Sequence, residues 1–199
     1  LIDGKYLAFA PDHVIQNTAI DALGHLWESY MNADATDYSR MCADAGMRMF
    51  ARTKEKLFAR AKAPEGERTY TEEDYVNLMN ASMFAGMAIA QDSTSLPHGL
   101  SYPVTYFLHM PHGAAIGYFL GGYLAEGSEE EREHMLRTSG FASLEEWKEF
   151  YETLCQKEPL ADEILDHAVE VIANNESKLV KAPFPCDKEV LRRIAYWGR

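Results

Sequence analysis

An all-α fold, a single multi-helix domain over residues 1–199, is the architecture the sequence predicts, and three observations point to it. Helical apolar spacing recurs along most of the chain, capping residues stand where those stretches begin, and no alternating strand series or internal repeat interrupts them. With 199 residues, 47% of them hydrophobic and 12% aromatic, the chain is long enough and apolar enough to bury one ordinary core.

The elements follow in order. Residues 1–11, LIDGKYLAFAP, read as a short extended lead-in ended by Pro11. Asp12 is placed to N-cap a helix reaching about residue 32, with Val14, Ile15, Ala19, Ala22, Leu23 and Leu26 as its apolar positions. Thr36 caps a second helix expected to run from 37 to about 63, where Pro64, Glu65 and Gly66 break it. Thr71 with Asp74 resembles a capping box that opens a third helix to roughly residue 91. Its stretch NLMNASMFAGMAIA is apolar nearly all round, so burial is expected, with Gly86 allowing a close crossing and Met79, Met83 and Met87 as a core stripe. Short helical pieces are expected over 97–110 and a helix over 112–125. Surface-type helices follow at 129–138, 143–157, 161–175 and 187–197. The charge run SEEEREH at 128–134 reads as a solvated face at a helix N-terminus.

Several function classes are excluded or disfavoured by composition. A formal net charge of −12 argues against a nucleic-acid surface, which needs Lys and Arg to displace counterions. Cys42, Cys155 and Cys186 are odd in number and widely spaced, which suits a reducing cytoplasm better than a disulfide framework. No stretch approaches the ~20 apolar residues that span a bilayer, and the first residues lack the pattern of a signal peptide. The chain opens on Leu1, without an initiator Met, and is expected to be a fragment of something longer.

Chemistry concentrates in two places. Asp21 and His25 stand four apart on the first helix, so a carboxylate and an imidazole project from one face. His98, His109 and His112 fall together in the stretch from Gln91 to Gly113. Asp21, His25, His98 and His112 would supply one carboxylate oxygen and three imidazole nitrogens, a donor set suited to Fe²⁺ or Zn²⁺. Neither pair is specific by spacing alone. His13, His134 and His167 read as polar surface positions, and His109 is open between a place near the site and a structural one.

The context of these residues resembles the iron-containing, or metal-dependent, alcohol dehydrogenase family, within the dehydroquinate synthase-like superfamily, and specifically its C-terminal helical domain. Asp21-Ala22-Leu23-Gly24-His25 with Glu28 and Tyr30 is similar to a family helix that supplies two metal ligands. Ala81-Ser82 and Ala85-Gly86-Met87-Ala88 match a small-residue helix. His98 and Pro111-His112-Gly113, with the two histidines fourteen residues apart, reproduce the spacing of the third and fourth ligands. The tail KAPFPCDKEVLRRIA is similar to the family's closing turn and helix, so the resemblance covers essentially the whole chain.

The resemblance implies that Asp21, His25, His98 and His112 hold iron or zinc, and that the chain is the catalytic half of an NAD(P)-dependent alcohol dehydrogenase. Hydride would pass between an alcohol and its aldehyde or ketone, with the metal polarising the substrate oxygen. Many relatives carry a catalytic histidine four residues after the third ligand; here that position is Tyr102, expected to line the pocket or relay a proton, and glycines before that ligand are replaced by Ser93 and Ser95. Trp27, Tyr106 and Phe107 are expected either in the core or around a substrate cavity. No glycine-rich phosphate loop is present, so NAD(P) is expected to bind mainly to a nucleotide-binding domain outside this chain. The partners expected are a small alcohol or aldehyde, a separate nucleotide-binding domain, or a second copy of the chain. Two other readings stay open: a stand-alone metal-binding helical module without dehydrogenase activity, and a glycerol dehydrogenase-like or dehydroquinate synthase-like enzyme. Metal is expected to leave below about pH 5–6, because the histidines must be neutral to bind it.

Overall fold

The computed structural model describes residues 2–64, 67, 70–155 and 159–199, and every described element is helical. A 3₁₀ segment, Gly4–Phe9, precedes eleven α-helices: α1 (Asp12–Met31), α2 (Asp37–Ala51), α3 (Lys54–Lys62), α4 (Glu72–Asp92), α5 (Leu96–Leu108), α6 (His112–Glu126), α7 (Glu129–Thr138), α8 (Leu144–Cys155), α9 (Asp162–Ala173), α10 (Glu176–Leu179) and α11 (Lys188–Ala195).

The axis of the packing is α1, which touches α2, α4, α5, α6 and α8. Its central residues are buried in every direction: Leu23, Leu26, Trp27 and Met31 on apolar contacts, Glu28 and Ser29 on polar ones. A helix so enclosed can hold side chains toward two neighbours at once, and α5 and α6 are the neighbours that matter for the site. Trp27 belongs to the core rather than to any cavity. Its indole N–H donates to Ser139 Oγ at 2.9 Å, and its ring meets Trp147 edge-on at 4.8 Å.

Several boundaries depart from expectation for identifiable reasons. The lead-in is coiled rather than extended, because the Asp3 side chain accepts from the Lys5 N–H and caps a 3₁₀ segment. Pro11, not Asp12, is the N-cap of α1, while the Asp12 carboxylate pairs with the buried Arg60 of α3. The helix expected over 37–63 is two helices broken at Arg52–Thr53. The break turns Lys54 inward, where its ammonium donates to the Gly140 carbonyl and pairs with Glu146 of α8. Glu65 and Gly66, expected to end that helix, lie outside the described residues.

The Thr71/Asp74 capping box is present and opens α4. Burial all round that helix is not observed. Ala81, Ala85 and Ala88 face the core, while Ser82, Met83, Gly86 and Met87 face outward, and a Cβ built on Gly86 meets nothing within 4 Å. Small residues lower the contrast between the two faces, so the apolar composition concealed an exposed side. The expected pieces over 97–110 are one helix, α5, which continues through Pro103 although Pro103 donates no hydrogen bond to the turn before it. The helix expected over 143–157 is described as Leu144–Cys155, and 156–157 lie outside the described residues. The short α10 has no counterpart among the expected elements; α7, α9 and α11 fall close to theirs.

Candidate metal centre

Three elements bring the candidate ligands together. Asp21, His25 and Glu28 follow one another at helical spacing along α1 and face the same neighbours. His98 lies in the first turn of α5, and His112 opens α6.

The segment that delivers His98 is tied to α1 by a ladder of polar contacts. Ser29 Oγ donates to Asp92 Oδ2 at 2.8 Å, and Asn32 Nδ2 donates to the carbonyls of Asp92 and Ser93 at 3.1 and 3.2 Å. The fully buried Glu28 carboxylate accepts the backbone N–H groups of Ser95 and His98, both at 3.1 Å. It thereby caps α5 from outside the helix, doing for two otherwise unpaired donors what an N-cap side chain ordinarily does. Pro97 has no N–H to satisfy. The other Glu28 oxygen holds His98 Nδ1 in a short contact, which fixes the ring and turns Nε2 toward Asp21.

Ser93, between Asp92 and this cap, has φ 68° and ψ −177°. That region is populated essentially by glycine alone.

The Asp21 Oδ1 atom is where the imidazoles converge. His98 Nε2 is 3.5 Å away, His25 Nδ1 3.9 Å and His112 Nε2 4.0 Å. The His25 and His98 rings stack at 4.3 Å, and the His112 ring meets His98 edge-on at 5.5 Å. One ligand atom each from Asp21, His25 and His98 lies within 4.8 Å of the others; His112, 41% exposed at its side chain, stands at the rim of that triad.

Asp21 Oδ1 and His98 Nε2 are both buried without a hydrogen-bond partner. A buried polar atom left unpaired costs free energy, and two such atoms facing each other mark a space for a shared partner. A cation about 2.1 Å from each ligand in a tetrahedral site sets neighbouring ligand atoms roughly 3.4 Å apart, close to the spacing found. The residues therefore fit a divalent metal.

Electrostatics agree with this arrangement. Burial pulls the His98 imidazolium down, but the Glu28 and Asp21 carboxylates outweigh it and raise its pKa to about 9. Burial, and then the charge on His98, hold His25 below the ordinary histidine value. His112 is lowered chiefly by burial. Burial pushes Asp21 and Glu28 up, yet their imidazole neighbours leave both below the usual carboxylate range. Without metal, the proton on His98 stands where a cation would be.

Glu28 is the residue whose role sequence reasoning missed. It appeared only as a letter of a motif, although its place three residues after His25 and seven after Asp21 put it on the ligand face.

Tyr102 is half exposed, and its ring lies parallel to that of His112 at 6.1 Å, beside the centre rather than within it. Tyr106 and Phe107 extend the same exposed aromatic edge along α5. His109 ends α5 in the left-handed conformation and, with His13, Asn17, Tyr151 and Cys155, lines a separate cavity of about 660 Å³ that none of the four candidate ligands borders. His134 pairs with Asp44 at 2.7 Å, and His167 meets Phe107 edge-on.

Comparison with known proteins bears on this centre. The profile of the Fe-containing alcohol dehydrogenase family, C-terminal, matches residues 15–156. Long-chain-alcohol dehydrogenase 1 of Geobacillus thermodenitrificans is 26% identical over 129 residues, 63% of this chain and 31% of that protein. An iron-containing alcohol dehydrogenase of Thermotoga maritima superposes with a TM-score of 0.79 at 27% identity, covering 96% of this chain and 51% of that one. Sulfoacetaldehyde reductase of Bifidobacterium kashiwanohense, solved in complex with NAD⁺, shares the fold at a TM-score of 0.78 and 18% identity, covering 98% of this chain and 52% of that one. The chain thus spans about half the length of these solved structures and about a third of the curated relative.

Proposed function

The chain belongs to the Fe-containing alcohol dehydrogenase family through that family's C-terminal domain, and from this premise we propose that Asp21, His25, His98 and His112 hold a divalent metal, iron or zinc, in the catalytic half of an NAD(P)-dependent alcohol dehydrogenase. The observation that carries the reading is the pair of buried atoms without a hydrogen-bond partner, Asp21 Oδ1 and His98 Nε2, which face each other at 3.5 Å with two further imidazoles aimed at the same oxygen.

A metal bound there would supply Lewis-acid polarisation of an alcohol or carbonyl oxygen, assisting hydride exchange with a nicotinamide. The work of the chain itself is positional and electrostatic. Glu28 fixes the His98 ring and keeps its Nε2 free of other partners. Asp21 supplies the single carboxylate charge at the point of convergence. His112, at the exposed rim, borders the side from which a substrate approaches, and the Tyr102 ring lies alongside it. The Tyr102 hydroxyl is proposed to line the substrate pocket and pass a proton to the reacting oxygen. Tyr106 and Phe107 continue the wall that an apolar part of the substrate would touch.

NAD(P) is proposed to be held mainly by a separate nucleotide-binding domain, and a second copy of the chain is proposed as an alternative cover for the exposed aromatic edge. Among the described residues no helix is long and apolar enough to cross a membrane. The three cysteines are free, which supports a reducing compartment, and the cytoplasm is proposed.

Aldehyde-dependent oxidation of NAD(P)H by the metal-loaded chain together with its nucleotide-binding domain tests this reading, with His98→Ala as the control. Turnover that disappears in the variant is expected. An assembly that takes up metal but leaves NAD(P)H unoxidised across straight, branched and ketonic substrates contradicts the dehydrogenase and favours a metal-binding module.

A further inference from the structure

Lys178, on the short α10, is a half-buried cation with an unusual set of partners. Its ammonium donates to the Thr94 hydroxyl at 2.6 Å and the Thr94 carbonyl at 3.2 Å, leaving one of its three donors over. No described carboxylate stands within 4.0 Å of it. Other inward-turned cations are matched with carboxylates, Lys54 with Glu146, Arg60 with Asp12, and Lys181, three residues on, with Asp34, whereas the part-buried Arg132 donates only to the carbonyls of Ala125 and Gly127. Burial of an unmatched ammonium is costly, and its pKa is lowered accordingly, offset in part by the charge of Glu28.

The location gives this cation its meaning. Lys178 Nζ lies over the Tyr102 ring, 5.8 Å from its centroid, and the other neighbour of that ring is His112 at 6.1 Å. These two distances set Nζ within about 12 Å of the His112 ring, on the exposed aromatic edge beside the candidate metal centre. Thr94 belongs to the same segment that Glu28 and Asn32 hold in place, so the ammonium is fixed relative to His98.

We propose that Lys178, positioned by Thr94 and the face of Tyr102, binds the anionic end of the substrate, so that the preferred substrates are short hydroxy acids and their aldehyde or oxo acids rather than plain alcohols. The proposal rests on the metal centre proposed above. The hydroxyl or carbonyl end would lie at Asp21, His25, His98 and His112, with the carboxylate end directed along Tyr102 toward Lys178. A divalent metal at the centre would offset the charges of Asp21 and Glu28, so a carboxylate approaching Lys178 meets no net repulsion from them.

The test is a ligand-observed NMR titration of the full chain loaded with zinc, comparing ω-hydroxycarboxylates of three to six carbons with n-alkanols of equal length, in the parent, Lys178→Met and Lys178→Arg. Zinc content is measured on each sample. The expected result is about tenfold tighter binding of the best hydroxy acid than of its alkanol in the parent, a ratio near one in Lys178→Met, and recovery in Lys178→Arg. The preference should also shrink as salt is raised. A parent that takes up one zinc but binds acid and alkanol equally overturns the Lys178 proposal alone, as does a preference that survives Lys178→Met. A parent that takes up no zinc overturns the metal reading, and this proposal with it.

Discussion

Two demands meet at the His98 ring: Nδ1 is held by Glu28, and Nε2 faces Asp21 with nothing else in reach. Because both flanking groups are carboxylates, the metal-free ring keeps its proton up to about pH 9. Metal must displace that proton, so uptake near pH 7.5 should release about one proton per ion from His98, and affinity should climb with pH until about 9. Calorimetry in buffers of differing ionisation enthalpy measures the proton count; no release would contradict the assignment of Nε2 as a ligand.

The same shift sets a sign for stability. His98 has a folded pKa above its ordinary 6.5, so its contribution to the metal-free fold is complete below pH 6.5 and fades as pH rises through about 9. His25 and His112, held below 6.5, oppose folding as pH falls through that value. Chelator-treated protein should lose thermal stability between pH 7 and 9, more than His98→Gln does. A Tm difference between the two that stays constant over that window would sink the argument. Glu28→Gln, which keeps the shape but removes the charge, is expected to weaken metal binding about 10- to 100-fold.

At the scale of elements, α1 was legible because its pattern is periodic: the i, i+4 spacing put Asp21 and His25 on one face, and the sequence context around them, not the spacing alone, marked them as a pair. The approach of α5 and α6 was not legible in the same way. It depends on Glu28 accepting two N–H groups of another helix and on Asn32 and Ser29 holding the turn at 92–93, contacts made across more than sixty residues of sequence. Ser93 shows the strain in that turn. Replacing it with glycine, which adopts φ 68° freely, should stabilise the protein by about 1 kcal/mol and raise Tm by about 2–4 °C. An unchanged or lower Tm in a thermal melt would mean that the turn stores no strain.

Gly113 has a packing role of a different kind. A Cβ there would lie 1.8 Å from the Asn17 carbonyl oxygen, so α6 approaches α1 only because the residue after His112 has no side chain. Gly113→Ala should push the start of α6 outward, cost about 1–3 kcal/mol and weaken metal binding by moving His112. Retention of parental metal affinity would show that His112 is dispensable to the centre.

For the molecule as a whole, the helical class and most helix positions followed from caps and periodicity. The departures have more than one cause: a tertiary contact overrode local pattern at Lys54, a local cap coiled the lead-in, and small residues masked the exposed side of α4. Lys54 turning inward to Glu146 split one expected helix, and the outward Met83 and Met87 of α4 were read as core because their small neighbours blur the two faces. The four candidate ligands come from three helices and arrive around one oxygen atom, which is the claim on which the proposed chemistry stands.

That claim is tested most directly by metal stoichiometry and X-ray absorption on protein prepared without chelator or affinity nickel, beside a His98→Ala, His112→Ala double variant. Close to one iron or zinc per chain is expected, with a first shell of nitrogen and oxygen only and loss of the metal in the variant. No bound metal after anaerobic reconstitution, or a shell containing sulfur, would contradict it.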